Sequence, residues 1–362
     1  MKKLKIYVYG ICKNEEKFVE RWVKSMSEAD GIYVLDTGSC DNTVKKLKEL
    51  GVNVKEEIIN PWRFDVARNK SLEIVPEDAD ICVCTDLDEV FDVGWRDILE
   101  KYWTKEIVHA SYNYNWHYDK NNKPDVSFDI EKIHARKDFK WTHPVHEVLK
   151  YTGNNYVKTF VPILLKHYPD NEKSRGSYLK LLEMSVSENP EDDRNMHYLG
   201  REYMYYSMYE KAIDTLIRHL NLERATWKDE RCASMRFIGR CYKYLKRYDE
   251  SILWYEKAIK EAPYLRDSYI ELALLYDELK IYDKVIYYVS SALRIKNKSN
   301  SYINEIFSWN YTPYDLLCLA YYNLGEIEAS YIFSKKAYKL DESCERLRDN
   351  YLLLKKMVED NS

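Results

Sequence analysis

Ile81-Cys82-Val83-Cys84-Thr85-Asp86-Leu87-Asp88-Glu89 decides how the first half of the chain is read. Its apolar start is too short for a helix and reads as a buried strand. The strand runs out into Asp86, Asp88 and Glu89. Carboxylates packed this closely repel one another unless a cation sits among them, and a hard divalent ion, Mg2+ or Mn2+, is the partner that oxygen ligands select. An isolated Asp-x-Asp is more often solvated surface, so its weight depends on the surrounding segments.

Upstream, short apolar runs alternate with helical stretches. Ile6–Ile11 reads as a buried strand, and Glu15–Ser27 carries Phe18, Val19, Trp22, Val23 and Met26 at helical spacing. Gly31–Asp36 reads as a second strand, and a helix opens at Asp41-Asn42-Thr43 and stops at Leu50-Gly51, where glycine is the expected terminator. Val52–Ile58 fits a third strand, Arg68–Ile74 a short helix and Ile81–Thr85 a fourth strand. This alternation predicts right-handed βαβ units and a Rossmann-like, mostly parallel sheet in an α/β domain over residues 1–170. Ligands of such sheets lie beyond the carboxyl ends of the strands. Four motifs fall there: Lys13-Asn14-Glu15-Glu16, the Asp36–Asp41 loop containing Gly38, Phe64 to Arg68-Asn69, and Asp86–Glu89.

Three further segments follow. Tyr112–Tyr118 alternates aromatics as a strand does, and Trp116 is the first choice for stacking on a sugar ring. Trp141-Thr142-His143-Pro144-Val145-His146-Glu147 is rich in groups able to move a proton, and Leu164-Leu165-Lys166-His167 closes the domain on a histidine. His109, His134, His197 and His219 read as packing or surface residues.

From about residue 176 the pattern is helical only. Gly239-x-x-Tyr242 with Tyr248-Asp249 recurs 34 residues later as Ala273-x-x-Tyr276 with Tyr282-Asp283. Gly200-x-x-Tyr203 precedes the first copy by 39 residues, and Cys318-x-x-Tyr321 follows the second by 45. A helix-turn-helix period of 34 resembles tetratricopeptide repeats. Four units are expected, at about 193–224, 232–264, 266–298 and 312–342, with a capping helix at 343–358 and insertions near Arg224–Glu230 and Lys296–Ser308. Residues 176–362 thus form an all-α domain, whose stacked helices make an interaction surface.

Composition narrows the classes. The 362 residues hold ten glycines and 34 tyrosines, well under the usual glycine level of about 7%, which argues against an all-β second half. The net charge of −4 gives no reason to expect a nucleic-acid partner. No apolar run approaches the length of a transmembrane helix, and the basic start is too soon interrupted to be a signal peptide. The eight cysteines form no Cys-x-x-Cys pair and read as reduced thiols of a cytoplasmic protein. No GxGxxG, Walker loop, HExxH or GxSxG motif occurs.

Residues 4–170 resemble family-2 glycosyltransferases of GT-A fold, with the motifs in the family's order. They look closest to a bacterial branch with a tetratricopeptide-like second half, which includes peptide S-glycosyltransferases. The resemblance implies a UDP-sugar donor, with Asp36 on uridine, Asn14, Glu15 and Gly38 beside the nucleotide, and Arg68 near the diphosphate. It places Asp86 on the ribose or a metal-bound water, and Asp88, with Asp86 and His167, at the Mg2+ or Mn2+ ion. Glu147 or His146 would take the acceptor's proton; Glu89 is a weaker candidate. The expected activity is inverting transfer of a hexose or N-acetylhexosamine to a Cys or Ser/Thr side chain of a peptide or protein. The repeats would bind the acceptor or form a homodimer. A saccharide or lipid-linked acceptor of the cell envelope, and an inactive repeat scaffold, are the alternatives.

Overall fold

Alternating apolar and polar runs fold as their periods demand in the computed structural model, which describes residues 3–118, 122–170, 176, 178–299 and 301–360. The first compact unit, Met1–Glu188, contains β1 (Ile6–Cys12), α1 (Val19–Met26), β2 (Gly31–Asp36), α2 (Thr43–Glu49), β3 (Asn53–Glu56), α3 (Phe64–Glu73) and β4 (Ile81–Cys84). It continues with β5 (Glu89–Phe91), α4 (Trp95–Tyr102), β6 (His109–Tyr118), β7 (Pro124–His134), β8 (Phe139–Thr142), β9 (Val148–Tyr151), β10 (Lys158–His167) and α5 (Tyr178–Glu188).

The main sheet runs β3-β2-β1-β4-β7-β6-β10-β5, and β8 and β9 form a separate hairpin. β3, β2, β1 and β4 are mutually parallel. Beyond β4 the sheet is mixed, because β7 runs antiparallel to both neighbours and β5 antiparallel to β10. The mostly parallel pattern inferred from the sequence holds for the first four strands and again for β6 with β10. β6 and β7 follow each other closely in sequence, and a short link permits only antiparallel pairing.

Alternation along the strands separates two apolar layers. Ile6, Val8, Val34, Ile81 and Val83 pack with Val19, Trp22 and Met26 of α1. On the opposite face Tyr9, Cys82 and Cys84 meet Leu72 of α3 and Phe139, Trp141 and Leu149 of the hairpin. Gly10 is required where β1 meets β4, since a Cβ there would lie 2.6 Å from the Thr85 carbonyl oxygen.

The second unit, Asn189–Ser362, is built from α6 (Asp193–Tyr205), α7 (Tyr209–Asn221), α8 (Lys228–Tyr244), α9 (Tyr248–Glu261), α10 (Asp267–Glu278) and α11 (Tyr282–Arg294). It ends with a 3-10 turn (Ile306–Ser308), α12 (Thr312–Asn323), α13 (Ile327–Leu340) and α14 (Glu345–Asp360). Consecutive helices pair, and α14 packs on α13. α5 groups with the sheet, and the helices that follow make up the second compact unit.

Gly200 and Gly239 occupy equivalent places: a Cβ would lie 2.5 Å from Leu216 and 2.9 Å from Tyr255, each on the second helix of the pair. The turns within the pairs explain the scarcity of glycine. Ser207, Lys246 and Lys280 take the left-handed conformation at φ of 58, 58 and 59°, and only the last turn uses a glycine, Gly325. In the second expected insertion the described residues 301–308 form a strap over the first-helix layer. Arg236 Nη2 donates to Ile303 O at 3.1 Å, Tyr302 Oη to Glu230 at 2.8 Å, and Glu305 N to Asp267 at 2.7 Å.

Candidate functional site

The parallel register aligns the strand ends. Cys12 lies opposite Asp36, and Tyr9 opposite Cys84, so the segments after β1, β2 and β4 leave the sheet on one edge. At this edge Asp36 is buried. Its Oδ1 accepts from the amides of Gly38 and Ser39, both at 3.0 Å, and its Oδ2 from Ser39 Oγ and from Cys12 Sγ at 3.4 Å. Gly38, at φ 107°, allows the tight turn. A carboxylate has about four acceptor positions, so a nucleotide contact at Asp36 would displace one of these donors.

Asn14 clasps the two loops. It sits in left-handed backbone at φ 55°, its amide donates to Ser39 Oγ at 2.8 Å, and its Oδ1 accepts from Cys40 N at 2.7 Å. The Glu15 amide donates to Thr43 Oγ1 at 2.7 Å, at the start of α2. Asn14, Glu15, Asp36 and Gly38 therefore form one connected corner.

A second corner is organised by Arg68 of α3. Its Nε donates to Glu147 at 2.7 Å, its Nη2 to Asp86 Oδ1 at 2.7 Å and its Nη1 to Cys84 Sγ at 3.4 Å. The guanidinium also lies 5.4 Å from the Trp141 ring. Lys132 of β7 completes the group, reaching Asp86 Oδ2 and Glu89 Oε1, each at 3.2 Å. Glu89 is buried, and it also accepts from the Asp86 amide at 2.9 Å and from Tyr114 Oη at 2.8 Å. It anchors the turn from within and is closed to an incoming acceptor.

Sequence reasoning overlooked Lys132 and Tyr114. The signal was present: Val126, Phe128, Ile130 and Lys132 alternate along β7, so the lysine occupies the register of an apolar face.

The cluster sets its own protonation. Burial works to raise the pKa of Asp86, but Arg68 and Lys132 overcome it and hold the carboxyl well below the usual range. Burial raises Glu89; Lys132 opposes this, while Asp86 and Asp88 push in the same direction as burial. Burial also pushes the Cys84 thiol up to about 11.

Glu147 reaches this corner because its hairpin is pinned to α3. Asn69 Nδ2 donates to Trp141 O at 2.8 Å, the Trp141 amide donates to Asn69 Oδ1 at 2.9 Å, and Phe64 N donates to Pro144 O at 2.9 Å. His143 and His146 lie in the hairpin loop with φ of 76 and 51°, conformations that persist where the surroundings enforce them. The His146 ring stacks on Tyr178 of α5 at 5.9 Å. Glu147 thus enters the Arg68 cluster, and His146 is directed to α5.

Asp88 and His167 form a separate pair, with Oδ2 and Nε2 3.3 Å apart. His167 Nδ1 lies 3.0 Å from Trp116 O, which turns Nε2 towards Asp88. Burial lowers the pKa of His167, but the bond to Asp88 and its charge, the contact with Trp116 O and the charge of Glu89 together outweigh it, and the net shift is upward. The spacing is close to that of adjacent ligands on an ion with bonds of about 2.1 Å. Both oxygens of Asp86 are engaged by Arg68 and Lys132. Among the described residues no three His, Cys, Asp or Glu side chains form a ready cage. Asp88 and His167 are thus two donors that would suit a divalent ion, which would need further ligands from outside these side chains. Trp116 is 38% exposed and its ring stacks on His167 at 4.4 Å.

Residues 8–151 match the model of a family described as Glycosyl transferase family 2, and residues 237–264 match that of a tetratricopeptide repeat. Among curated proteins none matches. Solved structures similar to this chain include MamA (20% identity, 48% of this chain and 96% of that one, TM-score 0.39). Others are YrrB (14%, 49% and 84%, 0.39) and PilF of Pseudomonas aeruginosa (12%, 49% and 72%, 0.38). Among the described residues no helix is long and apolar enough to cross a membrane.

Proposed function

We propose that the first unit is an inverting, Mg2+- or Mn2+-dependent glycosyltransferase that moves a hexose or N-acetylhexosamine from a UDP-sugar to a peptide or protein side chain. The observation that carries this reading is the convergence, at the carboxyl edge of the parallel strands, of the Arg68–Asp86–Lys132 cluster and the Asp88–His167 pair. Asp88 and His167 would hold the ion, which when bound neutralises charge on a departing diphosphate. Arg68 and Lys132 are cations within reach of the same leaving group once Asp86 releases one of their bonds. Asp36, Asn14, Glu15 and Gly38 shape the uridine end, and Trp116 offers its exposed ring to the sugar.

Glu147 is the group to hold the acceptor's proton, since its ion pair with Arg68 fixes it at the corner. A Cys thiol or a Ser/Thr hydroxyl could be the nucleophile, and the thiol needs less help because it ionises more readily. The repeats supply an interaction surface. The exposed Leu340, Leu352 and Leu353 on α13 and α14 favour a contact with a second copy. The strap favours the second reading, a cell-envelope saccharide or lipid-linked acceptor with the repeats used for assembly, because it covers part of the helical face that an extended peptide would use.

Intact-mass analysis of Cys- and Ser-containing peptides, incubated with a panel of UDP-sugars and Mn2+, tests the proposal. A mass gain of one hexose or N-acetylhexosamine is expected. No gain with any peptide, alongside transfer to a saccharide, would replace the first reading by the second.

A further inference from the structure

Tyr9 stands within β1, opposite Tyr33 of β2 and Cys84 of β4. It faces the apolar layer that it shares with Leu72 of α3 and with Phe139, Trp141 and Leu149 of the hairpin. It is fully buried, and a hydroxyl in such a layer is costly unless it is paired. Here it is paired twice. Trp141 Nε1 donates to Tyr9 Oη at 2.9 Å, and Tyr9 Oη lies 2.7 Å from His134 Nε2. His134 is equally buried, with Nδ1 2.7 Å from Ala135 O.

The direction of each bond follows from what the groups can do. An indole N–H only donates and a carbonyl oxygen only accepts. Burial keeps His134 neutral, its pKa pushed down to about 3, so its single proton lies on Nδ1, against Ala135 O, and Nε2 is bare. Tyr9 therefore accepts from Trp141 and gives its own proton to His134. A one-way chain runs from Trp141 through Tyr9 and His134 to the Ala135 carbonyl.

This chain settles the direction of the indole. The Asn69 side chain bonds both the amide and the carbonyl of Trp141 and so holds its backbone; the bond to Tyr9 holds its ring. Arg68 lies 5.4 Å from that ring, within cation–π range. Thr142, the next residue, pairs with Val148 across the hairpin, and Glu147 immediately precedes Val148. The seating of Trp141 thus bears on both partners of the Arg68–Glu147 ion pair. A phenylalanine at residue 9 would fill the same apolar space, so it is the hydroxyl that orients the indole.

We propose, resting on the glycosyltransferase reading, that Tyr9 is a positioning residue of the transfer reaction, acting through Trp141 to keep Glu147 where the acceptor's proton is taken up. A displaced base weakens the transition state and leaves the bound ground state nearly untouched, so the loss falls on kcat rather than on KM.

Steady-state UDP release by the full chain, with Mn2+, the UDP-sugar panel and the acceptor peptides, tests the proposal, with rates taken per folded chain from urea unfolding. Tyr9→Phe should lower kcat about tenfold, with KM for the UDP-sugar within about twofold of wild type. Trp141→Phe keeps an aromatic ring but has no N–H, and it should show the same split. In the double variant the two losses should not multiply, since both substitutions break one bond. A role in stability alone would move the urea midpoint and leave kcat of the folded chain unchanged. An unchanged kcat in Tyr9→Phe, a loss confined to KM, or losses that multiply in the double variant would overturn the proposal. Where Tyr9→Phe fails to fold, the kcat and KM of Trp141→Phe decide by the same criteria. Wild type that releases no UDP overturns the glycosyltransferase reading and the role of Tyr9 with it; release by wild type with an unchanged variant overturns the role of Tyr9 alone.

Discussion

Arg68 and Glu147 are 79 residues apart in sequence, and their bond ties the hairpin loop to the turn after β4. The side chains are 5% and 14% exposed, with Nε and Oε1 2.7 Å apart. A charge-assisted hydrogen bond shielded to this degree contributes about 1.5–3 kcal/mol. Arg68→Met should cost about 3–5 kcal/mol, because it also leaves Asp86 with one fewer cation. Glu147→Gln should cost about 2 kcal/mol, since Arg68 keeps Asp86. In a double-mutant cycle followed by urea unfolding of the full chain, the pair should couple by about 2 kcal/mol. The coupling should persist in roughly 0.5 M salt, where exposed pairs are screened. A coupling below about 0.5 kcal/mol would refute the claim that Glu147 is held at this corner by Arg68.

Other expectations concern the framework. Gly10→Ala places a Cβ against the Thr85 carbonyl oxygen and should destabilise the first unit by about 1–3 kcal/mol; an unchanged urea midpoint contradicts the close approach. Lys280→Gly relieves a left-handed residue in an exposed turn and should stabilise the helical unit by up to about 1 kcal/mol. A loss of stability would contradict that reading of the turns. Burial pushes the His134 pKa down to about 3. Its ring nitrogens lie 2.7 Å from Tyr9 Oη and 2.7 Å from Ala135 O. An unfolded histidine titrates near 6.5, so the unfolded chain takes up the proton first. This stability is complete above about pH 6.5 and declines as the pH falls towards 3, by roughly 2 kcal/mol at pH 5. Urea midpoints across this range should fall, and His134→Gln should reduce the slope; an identical slope in the variant would exclude His134 as its source.

The helical pairs were legible because their period repeats, β1, β2 and β4 because each is a short apolar run, and β3 because it follows the glycine stop of α2. The mixed half of the sheet was not, since antiparallel placement of β7 depends on which neighbour it meets rather than on its own pattern. At the site, Asp86, Asp88, Arg68 and Glu147 could be named from motif order. Their division into an Arg68–Asp86–Lys132–Glu89 cluster and an Asp88–His167 pair could not, because it follows from Cys84, Lys132 and His167 lying on different strands. Lys132 was hidden by the habit of reading a lysine as solvated, although the alternation of β7 marks it as inward-facing. The strap was visible only as an irregular spacing; its contacts with Glu230, Arg236 and Asp267 needed the fold.

In the proposed function this strand edge binds and cleaves a nucleotide sugar, with Asp88 as the anchor for a divalent ion. Release of UDP from UDP-sugars, measured with Mn2+ and after chelation in wild type and Asp88→Ala, tests it most directly. Wild type should release UDP in a Mn2+-dependent manner, and the release should be lost on chelation and in the variant. Full release by Asp88→Ala, or none by wild type with any UDP-sugar, would contradict it.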